Sequence, residues 1–249
     1  MTNRTRPPVR TAVVWDSLRS ALDGLVATSG RPELAVADVG GGTGGLAVPV
    51  AELGHRVTVV DPSPNALATL ERRAKDAGVA DRIVARQGEA ATLPEVIGSE
   101  QMDVVLCHGV LEIADDPKAA ARGLHLTLRP AGLASVLVAQ RHGAVLARAV
   151  AGHLADALQI LRSTAGHGAS GDPLPRRFDE DSITALLAES GFAVENLHGI
   201  RVFTDLVPGE AMDEPSRDRD LLDLETAAAE VPALRAIAGQ LHVLAVRRR

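Results

Sequence analysis

The sequence predicts an α/β fold: a doubly wound, mostly parallel sheet with helices on both faces. Three observations carry that prediction. Strand-like and helix-like segments alternate through about the first 140 residues of a 249-residue chain. The strand-like runs are almost continuously apolar, as strands covered on both faces must be. One of these runs leads directly into a cluster of five glycines that opens a helix.

Taken in order, Arg10–Val26 carries apolar residues at helical spacing and reads as an opening helix. Leu34–Val39 (LAVADV) is a buried strand ending at the glycines, and Gly45–Leu53 resumes helical character. Arg56–Val60 (RVTVV) is a second, β-branched strand. Pro64–Ala77 is a helix with Ser63 as its N-cap. Ile83–Arg86 and Met102–Cys107 are the third and fourth strands, Pro117–Leu128 the next helix and Gly132–Ala139 the fifth strand. His142–Arg162 reads as one helix, and Thr164–Arg177, rich in Gly, Pro and Ser, as a loop. Asp179–Glu189 is a helix, while Phe192–Val202 and Leu241–Val246 are the final strands. Between those strands lies a C-terminal helical insertion, an acidic segment Pro208–Asp220 followed by a helix near Leu221–Glu230. The whole reads as a single domain over 1–249: an N-terminal helix in 1–30, a cofactor-binding core in 34–140, and substrate-side helices and final strands in 141–249.

Composition narrows the function classes. Hydrophobic residues make up 46% and charged residues 23%, ordinary for a soluble globular chain. A net charge of −6 speaks against a strongly basic nucleic-acid module, although a local basic patch stays compatible with it. The aromatics are Trp15, Phe178, Phe192 and Phe203, too few for a base-stacking platform. A lone cysteine, Cys107, excludes an internal disulfide and a multi-thiolate zinc site. His125, His142, His153 and His167 show no ligand spacing, so no metal is expected. No apolar run approaches the roughly 20 residues that span a bilayer, and a signal peptide is not apparent. The expected compartment is cytoplasmic.

The informative segment is Ala37-Asp38-Val39-Gly40-Gly41-Gly42-Thr43-Gly44-Gly45. Glycine lets a backbone turn sharply and approach a ligand with no Cβ in the way. Gly40-x-Gly42-x-x-Gly45 formally fits a dinucleotide fingerprint, and Asp61, at the end of the second strand, is placed to accept from ribose hydroxyls. Asp38 discriminates between ligands. A carboxylate beside a pyrophosphate repels it, whereas a carboxylate beside a cationic ligand attracts it.

Asp38 followed by GGGTG resembles the first motif of class I S-adenosylmethionine-dependent methyltransferases, matched by Asp38, Gly40, Gly42 and Gly44, with Gly41 inside the same loop. Val59-Val60-Asp61-Pro62-Ser63 resembles their second motif, Gln87-Gly88-Glu89-Ala90 the segment that contacts adenine, and Leu128-Arg129-Pro130-Ala131-Gly132 the LKPGG turn, with Ala131 replacing a glycine. Beyond this core the chain resembles the tRNA 5-carboxymethoxyuridine methyltransferases. The stretches that carry this are Val9–Trp15, Cys107–Glu112, His142-Gly143, Gly199–Asp205, Leu222–Thr226 and Gln240–Val243. The resemblance implies a Rossmann-like, seven-stranded sheet and S-adenosyl-L-methionine as cofactor. It implies Arg10 at the cofactor carboxylate, Asp38 near its methionine amino group, Asp61 on its ribose, Gly88 and Glu89 at its adenine, and His108 as a cofactor-site residue. Where the family carries lysines, this chain has Ala165–Asp172 followed by Arg176 and Arg177; Gln140 and Arg141 replace family aromatics.

The acceptor implied is the carboxylate of a modified wobble uridine; a small metabolite or natural product, methylated on O or N, is the alternative, and an idle cofactor-binding protein a third. Methyl transfer from a sulfonium is an in-line displacement, which leaves positioning and electrostatics to the protein. A carboxylate acceptor, with a pKa of ~4, is already ionised and needs no base. It needs a cation, for which Arg201 is the leading candidate and Arg141 the second. His108 is either a general base for a hydroxyl acceptor or a buried histidine packed beside the cofactor. Glu112 and Asp116 read as capping or solvating the following helix, and Cys107 as core.

Overall fold

The computed structural model describes residues 9–168, 171–207 and 215–248. Its elements follow in chain order: α1 (Val9–Ser29), β1 (Ala35–Val39), α2 (Ala47–Glu52), β2 (Arg56–Asp61), α3 (Pro64–Asp76), β3 (Ile83–Gln87), α4 (Leu93–Ile97), β4 (Met102–His108), α5 (Pro117–Thr127), β5 (Leu128–Ala139), α6 (Arg141–Val150), α7 (Leu154–Arg162), α8 (Glu180–Glu189), β6 (Phe192–Ile200), α9 (Pro215–Ala228), α10 (Pro232–Arg235) and β7 (Gln240–Arg247). The seven strands form one sheet in the order β3-β2-β1-β4-β5-β7-β6. The pairs β1–β2, β2–β3, β1–β4 and β4–β5 are parallel. The chain divides into two compact units, one of Met1–Gly24, Ala139–Asp181 and Leu197–His242, the other of Leu25–Val138, Ser182–Asn196 and Val243–Arg249.

The second unit holds β1 to β4 entire and most of β5. Its strands are apolar because both faces are covered: Val104, Val105, Leu106 and Cys107 of β4 have no solvent exposure. Helix starts follow capping chemistry. Ser63 accepts from the Ala66 N–H at 3.3 Å with Pro64 at the first helical position. Asp116 accepts from the Lys118 and Ala119 N–H groups at 2.8 and 3.0 Å, again ahead of a proline. Asp116 therefore caps α5 as expected. Glu112 departs from the solvating role expected of it: at 2% exposure it is buried.

In the first unit Gln140 organises the backbone. Its side chain caps α6 by accepting from the His142 and Gly143 N–H groups and donates to the Ala236 carbonyl. The single helix expected over His142–Arg162 is two. It breaks at Ala151–His153, where Gly152 takes a left-handed φ of 81°. The apolar periodicity runs on through that break, so pattern alone did not expose it. Helix α9 begins at Pro215, earlier than Leu221; the rest of the acidic segment from Pro208 lies largely outside the described residues.

Candidate functional site

The strand order reverses between β1 and β4, and ligands of open α/β sheets bind at the carboxyl ends of strands at such a switch point. Register decides which side chains gather there. Asp38 pairs with Leu106 and Val39 with Cys107, so Gly40 and His108 follow side by side at the strand ends, and Asp61 closes β2 next to them. The glycine loop is fixed by sterics and by hydrogen bonds. Gly40, Gly42 and Gly44 have φ of 69°, 53° and 83°. A Cβ on Gly41 would stand 2.5 Å from the Asp38 carboxylate, so the second glycine exists to make room for the acid. The Gly40 N–H donates to the Val60 carbonyl at 2.7 Å, tying the loop to β2. From α3, Arg73 donates to the Thr43 carbonyl and hydroxyl at 3.1 and 3.3 Å.

Two carboxylates face this loop with different environments. Asp61 accepts from the Gly42 N–H at 2.9 Å and the Ser63 N–H at 2.8 Å, which orients its oxygens. Asp38 is 3% exposed, and its Oδ2 has no hydrogen-bond partner among the described residues. Burial, reinforced by the Asp61 charge and partly offset by the Ala47 N–H, pushes the Asp38 carboxyl up to about 7. Such a group is poised to accept a buried cation, which would hold it ionised.

Gly88 and Glu89 follow β3, with the Gly88 N–H donating to the Asp61 carbonyl at 3.4 Å. A Cβ on Gly88 would meet Val96 at 2.8 Å, so that glycine too serves close packing. His108 bonds through Nε2 to the Ser135 hydroxyl of β5 at 2.9 Å. Burial lowers its imidazole to about 4, which leaves it neutral at physiological pH. Cys107 is core, and burial pushes its thiol up. Ser135 belongs to no motif; its only signal in the sequence is a serine inside the apolar run LASVLVA.

Arg141 and Arg201 belong to the first unit, whereas the glycine loop, both carboxylates and His108 belong to the second. Arg141 is committed locally: it pairs with Asp179 at 2.8 Å and donates to the Ser163 carbonyl at 3.1 Å. Arg201 follows β6 with a left-handed φ of 61°, a conformation that costs a non-glycine residue about 1–2 kcal/mol. Its Nε and Nη2 lie on the Asp205 carboxylate, at 3.2 and 2.6 Å, and its side chain is 30% exposed. Arg10 lies in the first turn of α1; its side chain is outside the described residues. Among the described residues no three His, Cys, Asp or Glu side chains gather as a metal site, and no helix is long and apolar enough to cross a membrane.

Residues 37–136 match the methyltransferase domain family. Over 97% of its length the chain is 30% identical to the tRNA 5-carboxymethoxyuridine methyltransferase of Escherichia coli O157:H7, of which it covers 89%. The chain belongs to the tRNA 5-carboxymethoxyuridine methyltransferase family. It is therefore an S-adenosylmethionine-dependent methyltransferase with a Rossmann-like sheet. A ubiquinone biosynthesis O-methyltransferase from Methylocella silvestris is 35% identical, over 51% of this chain and 50% of that protein. Among solved structures, magnesium protoporphyrin IX methyltransferase from Synechocystis PCC 6803 with bound SAH shares the fold at a TM-score of 0.61 and 17% identity, covering 99% of this chain and 89% of that one.

The residues present fit the methyltransferase cofactor on the structure's own terms. The unpartnered, buried Asp38 oxygen would supply the anion that a methionine ammonium requires. The glycine loop supplies a surface free of Cβ atoms, and Asp61 an oriented acceptor at the end of β2. When bound, S-adenosylmethionine supplies an electrophilic methyl group.

Proposed function

We propose that this methyltransferase acts on tRNA, esterifying the carboxylate of 5-carboxymethoxyuridine at the wobble position. The observation that carries this is the distribution of similarity. Likeness to the tRNA enzyme runs over 97% of the chain, whereas likeness to the ubiquinone O-methyltransferase covers only 51%. Similarity over half the chain is what a common donor site produces; similarity through Gly199–Asp205 and Leu222–Thr226 extends to regions outside it.

In this reading Asp38, the glycine loop, Asp61, Gly88 and Glu89 hold the donor, with Arg10 at its carboxylate. Arg201 binds the acceptor carboxylate through its guanidinium, which neutralises that charge and sets its direction. Asp205 occupies the Nε–Nη2 edge of Arg201, while Nη1 has no hydrogen-bond partner among the described residues. The other edge of the fork is the one for the acceptor. No general base is required, because the acceptor is already an anion. This agrees with a neutral, weakly basic His108 that packs beside the donor instead of taking a proton. The work is done in the cytoplasm, on tRNA, without a metal.

Arg201→Ala tests the assignment. Turnover on tRNA carrying the free carboxylate should fall by about 100-fold or more, as expected when an orienting ion pair is lost. S-Adenosylhomocysteine affinity, measured by calorimetry, should stay unchanged. A variant that loses affinity for the donor product instead would remove Arg201 from the acceptor side.

A further inference from the structure

The turn that presents Arg201 is built around a carboxylate that donor binding does not use. Glu225, on α9, is 1% exposed. Its Oε2 accepts from the Val202 N–H at 2.9 Å; its Oε1 accepts from the Phe203 N–H at 3.0 Å, the Thr204 N–H at 2.7 Å and the Thr204 hydroxyl at 2.5 Å. Three successive backbone N–H groups thus converge on one side chain, forming an anion nest whose anion the protein supplies itself. The nest begins at the residue after Arg201, whose φ of 61° starts the turn. On the other side, the Arg201 carbonyl accepts from the Gly239 N–H at 3.2 Å. A Cβ on Gly239 would lie 3.2 Å from the Asp205 carboxylate and 3.3 Å from the Arg201 carbonyl, so that glycine keeps the approach open.

We propose that Glu225 is a positioning residue for methyl transfer: by filling the 202–204 nest it fixes the backbone of Arg201, and with it the direction of the guanidinium. The proposal rests on the reading of Arg201 as the acceptor's cation. Glu225 suits the task because it only accepts, and four donors surround it. A glutamine in its place must turn an NH2 group toward N–H or O–H donors, which breaks the nest while preserving volume. Glu225 touches no reacting atom; it acts through Arg201.

Four variants test this: Glu225→Gln, Arg201→Lys, the double variant and Arg201→Ala, each assayed for kcat and KM on acceptor tRNA, S-adenosylhomocysteine affinity and cooperative melting. Glu225→Gln should lower kcat/KM for the acceptor about 10- to 100-fold, the scale of a misdirected orienting group. Its affinity for S-adenosylhomocysteine should stay at the wild-type value. In the Arg201→Lys background the same change should cost much less, because the group it positions is already altered. An equal loss in both backgrounds, or wild-type kcat/KM in Glu225→Gln, would overturn the positioning role while Arg201→Ala stays inactive. Wild-type turnover by Arg201→Ala would instead overturn the acceptor-cation reading, and the proposal with it. If Glu225→Gln does not fold, Thr204→Val removes one of the four bonds; a smaller loss that depends on the Arg201 background supports the proposal, and a background-independent loss overturns it.

Discussion

Asp38, the proposed partner of the donor's ammonium, couples stability to protons. Its carboxyl stands at about 7 against an ordinary 3.8, raised by burial and by Asp61. The folded, donor-free protein therefore keeps this proton over a pH interval in which the unfolded chain has released it. The stability Asp38 contributes is fully present below pH ~4 and is lost as pH rises through 7. One pKa unit corresponds to about 1.4 kcal/mol, so the wild-type protein should lose about 1–3 kcal/mol between pH 5 and 8 through this group. Asp38→Asn should lack that loss in urea melts while binding S-adenosylhomocysteine far more weakly. Asp38 was legible from its place before the glycines. Its raised carboxyl was not, because that depends first on burial and then on the charge of Asp61, neither of which a short-range pattern records.

His108 makes the opposite case. Lowered by burial to about 4, it stays neutral from mildly acidic pH upward. With donor and acceptor saturating, kcat should be flat across about pH 6 to 8.5, since neither His108 nor an ionised acceptor titrates there. An inflection near pH ~6.5 that disappears in His108→Asn would restore the general-base role.

At the scale of elements, capping and apolar runs gave the strands and most helix starts, because those signals are local. What they left unseen was backbone conformation at single positions. Ala131 stands where the resembling turn has glycine and takes a left-handed φ of 63°, with its side chain exposed. Gly152, which divides α6 from α7, takes φ of 81° with no atom within 4 Å of an added Cβ. The two sites predict substitutions of opposite sign. Ala131→Gly should stabilise by about 0.5 kcal/mol, relief of the left-handed penalty exceeding the entropy glycine costs. Gly152→Ala should destabilise by about 1 kcal/mol, through the backbone alone. Thermal or urea melts measure both, and a shift of the same sign in both would contradict this account of the turns. Neither variant should alter donor affinity.

At the scale of the molecule, the parallel sheet and the proposed donor loop were readable because both are written in short-range patterns: apolar strands, a glycine loop after an acid, an aspartate closing the next strand. The proposed acceptor side is written in long-range contacts. Glu225 meets Val202, Phe203 and Thr204 across more than 20 residues of chain, and Arg235 pairs with Glu180 at 2.8 Å across 55. No spacing rule links such positions. Net charge at this scale speaks against electrostatic capture of RNA at −6 over the chain, while 24 of the 26 lysine and arginine residues are arginine, suited to the bidentate recognition of carboxylate and phosphate that the proposed acceptor requires. The most direct test of acceptor identity is mass spectrometry of tRNA nucleosides from a strain lacking this gene. There the wobble uridine should accumulate as the free 5-carboxymethoxy acid and its methyl ester should disappear, with the ester restored by the wild-type protein but not by Arg201→Ala. Unchanged wobble uridines in that strain would contradict the proposed acceptor.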